Sequence, residues 1–194
     1  MFDPDFETLS ALGLTPALAS RSVAAVAAIT QTADCRLFRI TEVHRETVVV
    51  HDGRACRSAR PVPRLRRSLA DDDCALVVGD WVLGAVDANG QTWIEARVAP
   101  SSVIVRRDGD GHRHPVVSNV DTALLVMGLD DDFNPRRMER YLALVHDSEV
   151  LPVIVLTKAD VVVHDPPQLD AQIELLRRRI PTEVDVVAAR RLSG

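Results

Sequence analysis

The sequence predicts two unlike domains in one chain: an all-β barrel, then an α/β unit built on a parallel sheet. Three features carry this reading. Between Arg36 and Val98 the apolar residues come in short alternating runs broken by turn residues. Between Thr122 and Ala188 they come in continuous apolar runs separated by segments of helical period. The stretch from Arg106 to Pro115 between the two is polar and rich in glycine and histidine. Alternation marks half-buried strands. Strands without it are buried on both faces and, when helices intervene, pair in parallel.

The elements follow in order. Residues 1–35 hold two apolar-periodic stretches, Asp5 to Leu12 and Pro16 to Ile29, the second opening on Thr15-Pro16 as a helix start, so a helical or loosely ordered lead-in is expected. Strands are then predicted over Arg36 to Val43, Thr47 to His51 and Arg54 to Ala59, with Asp52-Gly53 as a hairpin turn. After an arginine-rich loop and the acidic turn Asp71-Asp72-Asp73, two more strands are expected. Leu76 to Val86 contains Gly79-Asp80, and Thr92 to Val98 follows the turn Asn89-Gly90. Five short strands suit a small closed barrel of OB-fold type over residues 36–105, since closure removes exposed sheet edges; an SH3-type barrel is the alternative. Residues 106–115, centred on Asp108-Gly109-Asp110-Gly111, read as a linker at a domain boundary. Over 116–194 the pattern gives strands at Thr122 to Leu129, Pro152 to Leu156 and Val184 to Ala188, with helices at Asn134 to Asp147 and Pro167 to Arg179.

Composition narrows the function. The chain has 194 residues, 46% hydrophobic and 26% charged, which is ordinary for a globular protein. Its longest apolar run, Val23 to Ile29, is far short of the roughly 18 residues a membrane span needs. The acidic start Met1-Phe2-Asp3-Pro4-Asp5 lacks the features of a secretory signal, so a cytoplasmic location is expected. Cys35, Cys56 and Cys74 form no Cys-x-x-Cys pair and read as reduced thiols. His112 and His114 read as polar loop residues, and no metal site is expected.

The net charge is −5, yet Arg36, Arg39, Arg45, Arg54, Arg57, Arg60, Arg64, Arg66 and Arg67 face only Glu42, Glu46 and Asp52 within residues 36–67. This local surplus is where an anionic partner would dock, and Arg36, Arg39, Arg54, Arg57, Arg64, Arg66 and Arg67 are the candidate RNA contacts. With Phe38, Trp81 and Trp93 the barrel's only large aromatics, phosphate contact with folded RNA is a better expectation than base stacking. The bland alternative is a solvated strand surface in a chain that uses arginine for almost all its positive charge.

One motif carries chemistry. The apolar run Val153-Ile154-Val155-Leu156 leads directly into Thr157-Lys158-Ala159-Asp160. Ligands of parallel sheets bind beyond the carboxyl ends of the strands, so the motif sits where a base would be read. A carboxylate at Asp160 can accept two parallel hydrogen bonds from the ring N–H and exocyclic amine of guanine, and adenine offers no matching pair. The aliphatic stem of Lys158 can lie along the purine face with its ammonium near the ribose. Thr157 can brace the neighbouring loop through its hydroxyl. The alternative reading is a helix N-cap aspartate beside an exposed lysine. Lys158 is the only lysine in the chain.

Three blocks in order resemble the ribosome small subunit-dependent GTPase A family: Val117 to Val126, Asp132 to Leu142 and Pro152 to Asp160. Val78-Gly79-Asp80-Trp81-Val82 upstream is similar to that family's barrel strand. The resemblance implies an OB-fold that contacts ribosomal RNA, followed by an incomplete α/β, P-loop-GTPase-like domain. In that domain the motifs are circularly permuted, so the guanine motif comes first. It implies a role in maturation of the small (30S) ribosomal subunit, with that subunit and its rRNA as partners and GTP hydrolysis stimulated by the subunit. It assigns guanine recognition to Thr157, Lys158 and Asp160, where the family usually has Asn-Lys-x-Asp; Thr157 keeps a hydrogen-bonding side chain without an amide's paired donor and acceptor. Val187-Ala188-Ala189 falls where the next base-contacting loop would lie, although Arg190-Arg191 fits it poorly. For the whole family it implies GTP or GDP with Mg²⁺, and zinc in a C-terminal tail.

The sequence contains no Gly-x-x-x-x-Gly-Lys-Ser/Thr loop, and no Cys/His tail. Phosphoryl transfer is almost entirely positioning and charge stabilisation, so this chain alone is expected to bind guanine nucleotide weakly, to assign no catalytic residue and to hydrolyse no GTP. Three parallel strands with two helices leave a sheet edge and a face uncovered, and residues 116–194 alone are expected to be marginally stable. The competing function is a stand-alone OB-fold RNA-binding module with a degenerate α/β appendage and no nucleotide function.

Overall fold

The computed structural model describes residues 4–27, 29, 35–159, 166–180 and 185–188, and the chain divides into two compact units, residues 1–120 and 121–194.

In the first unit, α1 (Phe6–Ser10) and α2 (Pro16–Val26) each start at a side-chain cap. Asp5 accepts from the Thr8 N–H, and Thr15 from the Leu18 N–H ahead of Pro16. The strands β1 (Arg36–Val43), β2 (Val48–His51), β3 (Cys56–Pro61), β4 (Trp81–Val86) and β5 (Thr92–Arg97) close in the order β1-β2-β3-β5-β4, with β3 parallel to β5 and the other pairs antiparallel. This is a five-stranded OB-type barrel. Alternation along β1 and β4 divides the core. Phe38, Ile40 and Val82 point inward to meet Val48, Val50, Ala59 and Ile94. Leu37, Trp81 and Leu83 point outward and are covered by Leu9 and Leu18 from the helices and Leu14 from the loop between them.

Three details differ from the sequence reading. The arginine-rich segment is a helix, α3 (Pro63–Asp71), because Leu65 and Leu69, one turn apart, pack against the barrel interior while the arginines stay outside. The strand expected from Leu76 begins only at Trp81, since Gly79 takes φ +91 in a tight turn that delivers Asp80 to full burial. Where a linker was expected over 106–115, β6 (Val103–Arg107) and β7 (Arg113–Ser118) form an antiparallel hairpin, and the unit boundary falls after Val120. Its turn is organised by Asp108, whose carboxylate accepts from the Asp110 and His112 N–H groups and pairs with His114.

The buried Asp80 fastens this hairpin to the barrel. Its Oδ1 accepts from Arg97 at 2.8 Å and from the Ser118 hydroxyl at 2.6 Å, and its Oδ2 accepts from the Val77 N–H at 3.0 Å. Asn119 adds a bond to the Gly79 carbonyl. A Cβ on Gly79 would lie 2.1 Å from the Ser118 carbonyl oxygen, so glycine is required by the close approach as well as by its φ.

The second unit is a three-stranded parallel sheet, order β10-β9-β8, from β8 (Thr122–Gly128), β9 (Leu151–Thr157) and β10 (Asp185–Ala188). The helices α4 (Pro135–His146) and α5 (Pro166–Arg177) intervene. Met127, Ile154 and Leu156 pack with Met138 and Leu142 of α4 and Leu176 of α5. The opposite face is the one that two helices on three strands were expected to leave uncovered, although the apolar runs by themselves read as buried on both sides. Leu124, Val126 and Leu151 are 64%, 58% and 57% exposed, because the helices reach only one side of the sheet among the described residues.

Candidate nucleotide and RNA sites

The carboxyl ends of β8 and β9 lie side by side, with Gly128 paired to Thr157 and the Leu129 N–H donating to the Thr157 carbonyl at 3.0 Å. The Thr157 hydroxyl donates to the Met127 carbonyl at 3.4 Å, tying the two strand ends together. The chain then turns sharply: Lys158 adopts φ +59, in the left-handed region that non-glycine residues seldom occupy. The next residue, Ala159, is buried in the core of the unit. From Lys158 the side chain runs back across Gly128, and its Nζ reaches Asp130 Oδ2 at 2.5 Å. A Cβ on Gly128 would lie 2.4 Å from Asp130 Oδ1 and 3.5 Å from Lys158 Cδ, so the absent side chain is what admits this arrangement.

Charge reinforces the contact. The hydrogen bond and charge of Asp130 hold the Lys158 ammonium protonated above its usual range, with Asp132 and Asp131 adding to the effect. The same hydrogen bond holds the Asp130 carboxyl below its usual range. Asp160 lies outside the described residues, as do Val187-Ala188-Ala189 as side chains. Sequence reasoning missed Gly128 and Asp130. Their signal was Gly-Leu-Asp-Asp-Asp closing an apolar strand, but nothing local ties it to a lysine 28 residues later.

The candidate RNA arginines fall into two groups. Arg39 is half-buried: one guanidinium nitrogen donates to the Leu12 carbonyl and another to the Asn119 carbonyl, with the group 5.8 Å from the centre of the Trp81 ring. Arg57 is half-buried against Asp52 at 2.8 Å. These two serve the barrel's own packing. Arg36, Arg54, Arg64, Arg66 and Arg67 are exposed, with Arg54 3.5 Å from Asp5 and Arg64 3.6 Å from Glu95. The outer side of α3 presents Arg64, Arg66 and Arg67 together. Arg66 also lines a cleft of about 230 Å³ with His44 and Arg45 of the β1–β2 turn. Half-buried Trp93 lies in register with the exposed Arg60 on the neighbouring strand.

Comparison with known proteins identifies the lineage. The RsgA GTPase family model matches residues 98–191. A small ribosomal subunit biogenesis GTPase RsgA of Xanthomonas oryzae pv. oryzae is 34% identical over 182 residues, 92% of this chain. The chain belongs to the RsgA GTPase family. Another RsgA protein, RsgA 2 of Lactiplantibacillus plantarum, is 39% identical over 126 residues, covering 64% of this chain and 36% of that protein. The fold is that of solved structures at 20% identity. YjeQ from Thermotoga maritima gives a TM-score of 0.58 over 80% of this chain and 52% of that one. YloQ, a circularly permuted GTPase, gives 0.55 over 82% and 54%. The chain spans 48% of the length of the Xanthomonas RsgA relative.

The strand ends of β8 and β9 are where the sequence reading expects a guanine base. The space over Gly128 is taken up by the Asp130 carboxylate and the Lys158 stem, whose charge is held at one end. Among the described residues no three or more His, Cys, Asp or Glu side chains converge. Among the same residues no helix is long and apolar enough to cross a membrane.

Proposed function

We propose that this chain carries the RNA-docking barrel and the guanine-recognition end of a small ribosomal subunit biogenesis GTPase acting in the cytoplasm. The observation that carries the nucleotide part is the course of Lys158 across Gly128 at the carboxyl end of a parallel sheet. Thr157 ties the strand ends, Lys158 supplies an apolar stem and a charge, and Asp160 is the carboxylate that selects guanine. The RNA part rests on the exposed arginines of α3 together with Arg36 and Arg54, which suit phosphate contact with the rRNA of the small subunit.

Catalysis is a separate matter. The only lysine of these 194 residues is Lys158, so the lysine of a phosphate-binding loop is nowhere among them. GTP and GDP are therefore bound weakly at most by these 194 residues, whose sequence holds no Gly-x-x-x-x-Gly-Lys-Ser/Thr loop to cradle the transferring phosphoryl group and its Mg²⁺. Zinc binding likewise has no assigned residues here.

The single lysine makes the test direct. In a chain labelled with [13Cε]lysine, millimolar GDP shifts the one lysine resonance and ADP does not. Equal responses to GDP and ADP, or none to either, would leave the stand-alone RNA-binding module as the better reading. On the RNA side, affinity for small-subunit rRNA falls steeply between about 50 and 200 mM salt; a flat salt dependence defeats the electrostatic account.

A further inference from the structure

We infer that Asp130 is a positioning residue for guanine recognition, fixing the Lys158 side chain across Gly128 so that its stem is already laid out as a platform for the base. This rests on the guanine reading of the site. The backbone of Lys158 is left-handed, which directs its side chain back over the end of β8 rather than outward, and Asp130 is the group waiting at the far end. Gly128 between them has no side chain to lift the stem away.

The arrangement has a physical purpose. A free lysine side chain carries up to about 2 kcal/mol of rotamer entropy, lost when a ligand immobilises it. A stem already held by Asp130 gives up less of that freedom on binding, which is preorganisation. The price is that the ammonium is shared between the carboxylate and the ligand, so Asp130 suits a ligand that uses the stem more than the charge. A purine face against the methylenes fits that description. Asp131 and Asp132 face the same ammonium from the loop that follows β8, and Asp132 is itself neutralised by Arg137 at 2.9 Å. That leaves Asp130 as the direct partner.

The test uses the full chain and its single labelled lysine. In Asp130→Asn the resonance moves toward the free-lysine position and its side-chain order falls. Its GDP dissociation constant rises about three- to fivefold, the range an exposed ion pair supports. Asp130→Glu recovers part of the affinity. Gly128→Ala, at a backbone position outside the left-handed region, reproduces the Asn effect, because its methyl group displaces the carboxylate. A lysine signal that is free in the parent chain, or unchanged by Asp130→Asn, overturns the positioning role without any nucleotide being added. A released lysine with undiminished GDP affinity overturns it too. A lysine that Asp130 holds but that GDP never touches overturns the guanine reading, and with it the purpose given to Asp130.

Discussion

Replacing Asp80 by alanine removes the centre of the barrel's one deeply buried polar knot among the described residues. Asp80 is fully buried and Arg97 only 13% exposed in its side chain, so the guanidinium loses its carboxylate in a place water barely reaches. Breaking a buried pair by deleting one partner costs about 3–5 kcal/mol, since the remaining charge is left uncompensated. The Ser118 hydroxyl and the Val77 N–H also lose their acceptor, and Arg97 keeps only the Cys74 sulfur at 3.0 Å. Against a typical domain stability of about 5–15 kcal/mol, this removes from about a fifth to nearly all of it. With a urea slope of about 1–3 kcal/mol per molar, the midpoint falls by roughly 2 M. Both tryptophans, Trp81 and Trp93, lie in the barrel, so fluorescence excited at wavelengths that Tyr141 does not absorb follows this unit alone. The decisive comparison is the cycle with Arg97→Met: the double variant is more stable than Asp80→Ala. A midpoint loss under about 0.5 M, or strictly additive effects, refutes the claim that the pair is a buried, mutually dependent unit.

The open sheet face gives a second expectation. Leu124→Thr with Val126→Thr lowers binding of a hydrophobic dye and light scattering on warming, with little change in the melting of the first unit; undiminished dye binding counts against an uncovered face. Asp52 gives a third. Burial pushes its carboxyl up, but the Ala55 and Arg54 N–H groups and the Arg57 charge outweigh it, leaving it below its ordinary value of 3.8. A depressed folded value contributes stability that is present above the ordinary value and lost as pH falls through the folded one. Asp52→Asn therefore flattens the acid side of the stability profile below about pH 4, read as urea midpoints at pH 6 and pH 3. The fourth separates the arginines. Arg66→Glu with Arg67→Glu weakens rRNA binding and reduces its salt slope by about one per lost contact, while the melting point holds. Arg39→Ala lowers the melting point and leaves the slope alone.

Much of the fold was legible because patterning and burial agree. The run from Val153 to Leu156 is apolar whichever neighbours surround it, and Thr157 and Lys158 follow at the strand end where a base-reading motif belongs. Misreadings came where cover or contact is supplied from a distance. Leu124 and Val126 look locally like doubly buried strand residues, and only the count of two helices for three strands pointed to the uncovered face. Leu65 and Leu69 are the only apolar anchors of α3, and three arginines among them masked the helical period. Asp108-Gly109-Asp110-Gly111 marks a turn, and the alternating Val103 and Val105 before it were the sign that the turn joins two strands. Arg39 and Arg66 are alike in sequence, and only tertiary packing makes one a clamp and the other a surface charge.

If Lys158 reads the base as proposed, stability and recognition pull apart at this one residue. Its left-handed backbone costs about 1 kcal/mol relative to glycine, which adopts φ +59 freely. Selection for a sturdier turn alone would put glycine there, relaxing the backbone and erasing the platform with one substitution. A stabilised variant recovered from random mutagenesis without regard to nucleotide could therefore begin at this position, gaining heat resistance by discarding the chain's only lysine.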